Sequence, residues 1–265
     1  MKVFISADIE GIATTMQWEE CRPTDPSYPP FAQEMTSEVL AAVSGAFEGG
    51  ATEIVIKDAH GGANNINPLL IPENVSLERG WTGHPYCMAE GVDSSFDAAM
   101  FIGYHSAASR NGNPLSHTIS GRPLWIKING RITSEFLMYS WACALEGVPT
   151  VLLSGDKMLC EDYKDLHPSL LTVPTKDGLG ALVRAYSPIT VSRNIRETAA
   201  NALRQDLSKA KITLPPYFNV EVQFKEHSHA VKVSYFPDVK LVDNTKIVFE
   251  RDSYLEVLRT LRWIL

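Results

Sequence analysis

An aspartate and a glutamate two residues apart, Asp8 and Glu10, end the apolar run "KVFISA" almost at the start of the chain. Side chains alternate along a strand, so this spacing predicts that both carboxylates project to one side while Ile9 points to the other. Two close carboxylates repel and raise each other's pKa, so positive charge is expected between them. The plainer reading is an acidic turn with Glu10 paired to an arginine. Further apolar runs end in comparable residues: "EIVIKD" leads to Asp58 and His60, and "AAMFIGY" to His105. "LSHTISG" then supplies His117, and "INGRITSEFLMY" places Glu135 at the start of an apolar helix, where a carboxylate also suits the helix dipole. Each has a structural explanation alone. Parallel strands, however, put their carboxyl ends on one edge, where open α/β sheets bind ligands. Asp8, Glu10, His60, His105 and Glu135 form an oxygen and nitrogen donor set without sulfur. That set suits a pair of Zn²⁺ ions, with Mn²⁺ or Co²⁺ as alternatives. A carboxylate shared by two ions would explain why Asp8 and Glu10 coexist. Paired ions about 3.5–4 Å apart polarise a scissile carbonyl and activate water. His117 is left over as a histidine that is not a ligand, suited to hydrogen-bonding an oxyanion or shuttling a proton.

The elements that must position these groups follow from periodicity. "KVFISA", "EIVIKD", "AAMFIGY", "PLWIKI" and "VPTVLLSG" alternate with helices near 31–48 and 134–146, predicting an α/β fold with a mostly parallel central sheet flanked by helices. In the first helix Met35, Val39, Ala42, Val43, Ala46 and Phe47 share a face, and Gly49-Gly50 stops it. The second is apolar nearly all round and should be buried between layers. Residues 163–190 are dense in turn formers and suggest a boundary, giving a catalytic domain over 1–190. A polar-faced helix at about 190–209, the period-two segments "FNVEVQF" and "AVKVSYF", "TKIVFE" and a helix from about 252 make a smaller α+β domain over 191–265.

Composition narrows the function. The 265 residues carry a net charge of −7 with no Lys/Arg cluster longer than two, which disfavours nucleic acid as a partner. No apolar run approaches the roughly 18–20 residues of a membrane helix, and the N-terminus does not read as a signal peptide. The four cysteines are far apart with no CxxC pair, which fits a reducing cytoplasm rather than a disulfide scaffold or thiolate zinc site. His84 lacks a second ligand nearby, and His167 precedes a proline in a turn. His227 and His229 suggest a solvated face. Asp156, after "TVLLSG", could orient a ligand histidine, but capping the next helix is the stronger reading.

An ordered set of motifs resembles one family. "DIEGI" at 8–12, "DAHGGANN" at 58–65, "AEGVD" at 89–93 and "GYHS" at 103–106 come first. "SHTI" at 116–119, "INGR" at 128–131 followed by Glu135, and "GVPTVLLSGD" at 147–156 complete it. The order and intervals resemble the D-aminopeptidases of the dipeptide-transport type, peptidase family M55, over roughly residues 1–190. The resemblance implies a zinc-dependent exopeptidase that removes an N-terminal D-amino acid, typically D-Ala, from short peptides. It implies metal ligands at Asp8, Glu10, His60, His105 and Glu135, with Asp8 as the bridge, and a catalytic His117. It also implies a homo-oligomeric ring, often a decamer, with active sites facing an inner chamber. Residues 14–30, "TTMQWEECRPTDPSYPP", have no counterpart in the resemblance, and the chain after about 190 matches weakly. Two rivals start from the same residues. One is a haloacid-dehalogenase-like phosphatase, suggested by "DIEGIATT" although Glu10 is wrong for its DxDxT signature. The other is a metal-stabilised ring or binding protein without turnover.

Overall fold

The computed structural model describes residues 1–167 and 169–265, so Pro168 of the expected His-Pro turn lies outside the described residues. In chain order the strands and helices begin with β1 (Lys2–Ala7), α1 (Tyr28–Glu48), β2 (Glu53–Asp58), β3 (Val75–Glu78) and β4 (Ala98–Tyr104). They continue with β5 (Pro123–Ile128), β6 (Arg131–Ile132), α2 (Glu135–Leu145), β7 (Thr150–Asp156), α3 (Lys157–Asp162), β8 (Leu171–Leu179) and β9 (Leu182–Ala185). The last third holds α4 (Pro188–Arg204), β10 (Phe218–Phe224), α5 (His227–Val233), β11 (Lys240–Leu241), β12 (Lys246–Arg251) and α6 (Tyr254–Ile264).

A seven-stranded sheet runs β3-β2-β1-β4-β7-β8-β9, parallel except where β9 returns against β8. Its central strands are buried on both faces, which is why they read as unbroken apolar runs. In β1, Val3 and Ile5 point into one core with Met35, Val39 and Val43 of α1 and Ile195 of α4, whereas Phe4 points into the other. Each such buried side chain contributes about 1.5–3 kcal/mol. Pro29 and Pro30 in the first turn of α1 suit the helix start, where amide donors lack intrahelical partners anyway.

The second core extends from Phe4 and Phe101 through α2 to a five-stranded antiparallel sheet, β11-β12-β10-β5-β6, and to Val257, Leu258 and Leu261 of α6. Four sequence-based assignments change. "PLWIKI" joins the antiparallel sheet by pairing with β10, so the expected division at residue 190 cuts across the layers instead of following them. Helix α4 packs on α1 beside the parallel sheet. Within the turn-rich stretch, "LTVPTKDGL" is a strand, because Val173 and Thr175 are buried against the sheet and its glycines serve the hairpin to β9. "AVKVSYF" is not a strand: residues 227–233 are helical, with Ala230 and Val233 buried one turn apart. No helix among the described residues is long and apolar enough to cross a membrane.

Candidate metal centre

Strands β2, β1 and β4 are neighbours and parallel, so residues just beyond their carboxyl ends share one edge. β1 ends at Ala7, and Asp8 and Glu10 lie in the turn that follows. They reach the same place through that turn and not through strand alternation. Ile9, fully buried, anchors the turn in the core, and its amide donates to Asp8 Oδ1 at 2.9 Å. Two glycines permit the approach of β4. A Cβ on Gly11 would lie 1.7 Å from the Tyr104 carbonyl oxygen, and one on Gly103, which has φ +72°, would lie 2.3 Å from that of Asp8. The Gly11 amide donates to the Gly103 carbonyl at 2.8 Å, locking the two strand ends together.

His60 and His105 follow β2 and β4, His117 lies in the loop before β5, and Glu135 begins α2 behind the Ser134 cap. Each imidazole has one nitrogen committed to a backbone carbonyl: His60 Nε2 to Cys21 at 2.8 Å, His105 Nδ1 to Ser106 at 2.9 Å, and His117 Nδ1 to Leu115 at 2.9 Å. The N–H donates there, and the other nitrogen faces carboxylates. His60 Nδ1 lies 3.3 Å from Asp8 Oδ1 and 3.0 Å from Glu10 Oε2. His105 Nε2 lies 3.5 Å from Asp8 Oδ2 and 3.3 Å from Glu135 Oε2, and His117 Nε2 is 3.6 Å from Glu135 Oε1. Lone pairs facing carboxylate oxygens are attractive only with positive charge between them, supplied by a proton or a metal ion.

Burial alone would raise each carboxyl and lower each imidazole. For Asp8 burial prevails, reinforced by the Glu10 charge, and its carboxyl stands well above the usual range. For Glu10 burial is overcome by His60, His117 and His105, which hold it well below that range. Glu135 is likewise lowered, His105 and His117 outweighing burial. Against burial, Glu10 and Asp8 raise His60, while Glu135, Asp8 and Glu10 push His105 up to about 10.

The donors fit metal ions on a further observation. Asp8 Oδ2, Glu10 Oε2 and His105 Nε2 are buried without hydrogen-bond partners among the described residues, an arrangement costly for groups that nothing engages. Donor atoms converge in three groups: Asp8, Glu10 and His60; Asp8, His105 and Glu135; and Glu10, His105 and His117. Asp8 belongs to the first two, which together contain all five ligand candidates.

Further residues support these donors. Asp58 accepts from the amides of Asn65 and Ile66 and from Asn65 Nδ2, closing the loop that carries His60. Asp156 caps α3 through the Leu159 amide and also accepts from the Ser106 amide and hydroxyl, fixing the carbonyl that orients His105. Both expected roles of Asp156 are thus combined. The buried Lys176 ammonium donates to the carbonyls of Glu10 and Thr15. The unmatched segment 14–30 provides the Cys21 carbonyl and places Trp18 edge-on to His117, 5.2 Å between ring centroids. A cavity of about 380 Å³ opens over Asp8, Glu10, His60, His117 and Glu135, walled by Trp18, Trp81, Cys87, Met88 and Ile119, with Arg262 at its edge. His84, His167, His227 and His229 lie outside the three donor groups.

Comparison with known proteins follows the same outline. The family model described as D-aminopeptidase, peptidase family M55, matches residues 1–263, so the similarity runs well past residue 190. A D-aminopeptidase of Bacillus subtilis (strain 168) is 27% identical over 264 residues, covering 98% of this chain and 95% of its own. A solved structure, the Zn-dependent D-aminopeptidase DppA from Bacillus subtilis, described as a self-compartmentalizing protease, superposes with a TM-score of 0.91 at 25% identity. It covers all of this chain and 96% of its own.

Proposed function

Because the chain belongs to the D-aminopeptidase family M55 of metallo-type peptide-bond hydrolases, we propose that it is a zinc-dependent aminopeptidase that removes an N-terminal D-residue, such as D-Ala, from short peptides. The observation that carries the reading is the membership of Asp8 in two donor groups whose other members are Glu10 and His60 on one side and His105 and Glu135 on the other. These five residues would hold two zinc ions, with Asp8 the carboxylate common to both sets. Zinc held there would supply Lewis acidity and a water of lowered pKa. Mn²⁺ or Co²⁺ would suit the same donors.

The protein's own groups do the rest. His117, with Nδ1–H held by Leu115, has Nε2 free to carry a proton toward the departing amine. Trp18 and Trp81 add apolar surface to the cavity lining beside the donors. Lys176 and Asp156 keep the Glu10 and Ser106 backbone in register.

The same proposal includes assembly into a homo-oligomeric ring, with a decamer as the expected size. Its support is the self-compartmentalizing description of the similar B. subtilis enzyme. Tyr235 and Trp263, 83% and 78% exposed, add apolar surface suited to a second copy. A cytoplasmic location belongs with it, since all four cysteines are free thiols.

Hydrolysis of D-Ala-D-Ala and L-Ala-L-Ala, with and without chelator and alongside metal content per chain, tests the reading. Chelator-sensitive cleavage of the D-peptide is expected. Two bound metals with no cleavage of either peptide would instead favour a binding protein without turnover.

A further inference from the structure

We propose that Arg262 binds the free α-carboxylate of the substrate's C-terminal residue, so that the preferred substrate is a dipeptide ending in a free acid. This rests on the aminopeptidase reading and adds to it the group that senses peptide length.

Helix α6 packs on α2, the helix whose first residue is Glu135. Leu258 and Leu261 are buried in that contact, and Arg122 Nη1 donates to the Leu265 carbonyl at 2.7 Å, pinning the chain end. Arg262, one residue after Leu261, is thereby carried to the edge of the cavity formed by Asp8, Glu10, His60, His117 and Glu135. It is the one lysine or arginine among the described residues that line this cavity. Neighbouring arginines are engaged: Arg259 pairs with Glu256, and Arg122 holds Leu265. The Arg262 guanidinium makes no hydrogen bond or ion pair within the described residues.

The cavity is thus lined both by the carboxylates and imidazoles of the sheet edge and by one guanidinium from α6. On the aminopeptidase reading the substrate's amine and scissile carbonyl belong at the metal-ligand residues, and its free carboxylate meets a planar fork that can bind both oxygens at once. The other charged or imidazole side chains lining the cavity, Asp8, Glu10, His60, His117 and Glu135, belong to the proposed zinc site and its proton carrier, which leaves Arg262 as the group suited to hold that carboxylate. About 380 Å³ is near the lower end of the range for small-ligand sites. Each added residue extends a peptide by up to about 3.6 Å, so a longer peptide presents its carboxylate at a different distance from the scissile bond.

The test compares kcat/KM of the zinc-loaded protein for D-Ala-D-Ala, its C-terminal amide and D-Ala-D-Ala-D-Ala, in wild type, Arg262→Gln and Arg262→Lys. Wild type should favour the free dipeptide over the amide by about 10- to 100-fold, mainly through KM. In Arg262→Gln the ratio should collapse toward one with zinc content unchanged, and Arg262→Lys should recover part of it. Equal cleavage of acid and amide by wild type, or a ratio preserved in Arg262→Gln, overturns the role of Arg262 while leaving the aminopeptidase reading intact. Cleavage of none of the three peptides overturns both.

Discussion

Asp8 Oδ2 and His105 Nε2 face each other across 3.5 Å, both buried and neither hydrogen-bonded within the described residues. The other oxygen of Asp8 faces His60. Asp8 thus spans the two donor groups that together hold the five ligand candidates, whereas Glu10 belongs to the first of these and to the group with His105 and His117. Asp8→Asn should reduce bound zinc from about two ions per chain to less than one, while Glu10→Gln should retain about one. Elemental analysis of purified variants decides this, and equal losses in the two would remove the bridging role from Asp8.

His117 stacks on His105 with ring centroids 4.4 Å apart and planes 11° from parallel. The proposed role as proton carrier predicts that His117→Ala keeps zinc content and loses about 10²- to 10⁴-fold in kcat. Loss of a zinc ion in this variant would show that its donor group with Glu10 and His105 is the occupied one.

The packing of β1 against β4 leaves no space for a side chain at residue 11. Gly11→Ala would set a methyl group against the Tyr104 carbonyl, a backbone atom that cannot turn aside. A destabilisation of at least about 1–3 kcal/mol is expected, as in other overpacked sites. Chemical denaturation measures it, and a change within about 0.5 kcal/mol would show that the two strand ends can separate freely.

His167 gives the fold an acid limb independent of the metal site. Burial lowers its pKa to about 4, with Asp165 opposing only in part. The unfolded chain then binds more protons between about pH 4 and 6.5, so stability is full above about pH 6.5 and declines as pH falls toward 4. The difference amounts to about 3 kcal/mol. Denaturation of wild type and His167→Leu at pH 7 and pH 4 should show a shallower decline in the variant, and parallel profiles would contradict it.

Much of the site was legible because its residues follow simple local signals. Apolar runs announced β1, β2 and β4, and a polar residue just beyond each run announced the edge they share. Glu135 could be placed because helix α2 has an unmistakable start. The layers after residue 120 were less legible, since β5 looks like any other apolar strand and only its pairing with β10 assigns it to the second sheet. Helix α5 was hidden by an alternation that also satisfies one short helical turn.

The sequence by itself determined the donor types, their order along the chain and the parallel sheet that would gather them, because these depend on residue chemistry and short-range periodicity. Tertiary structure decided which donor atoms converge, which nitrogen of each histidine faces the carboxylates, and that Cys21, Lys176 and Arg262 lie beside them. Those facts depend on contacts between residues far apart in the chain, such as the 166 positions separating Lys176 from Glu10, and no local pattern encodes them.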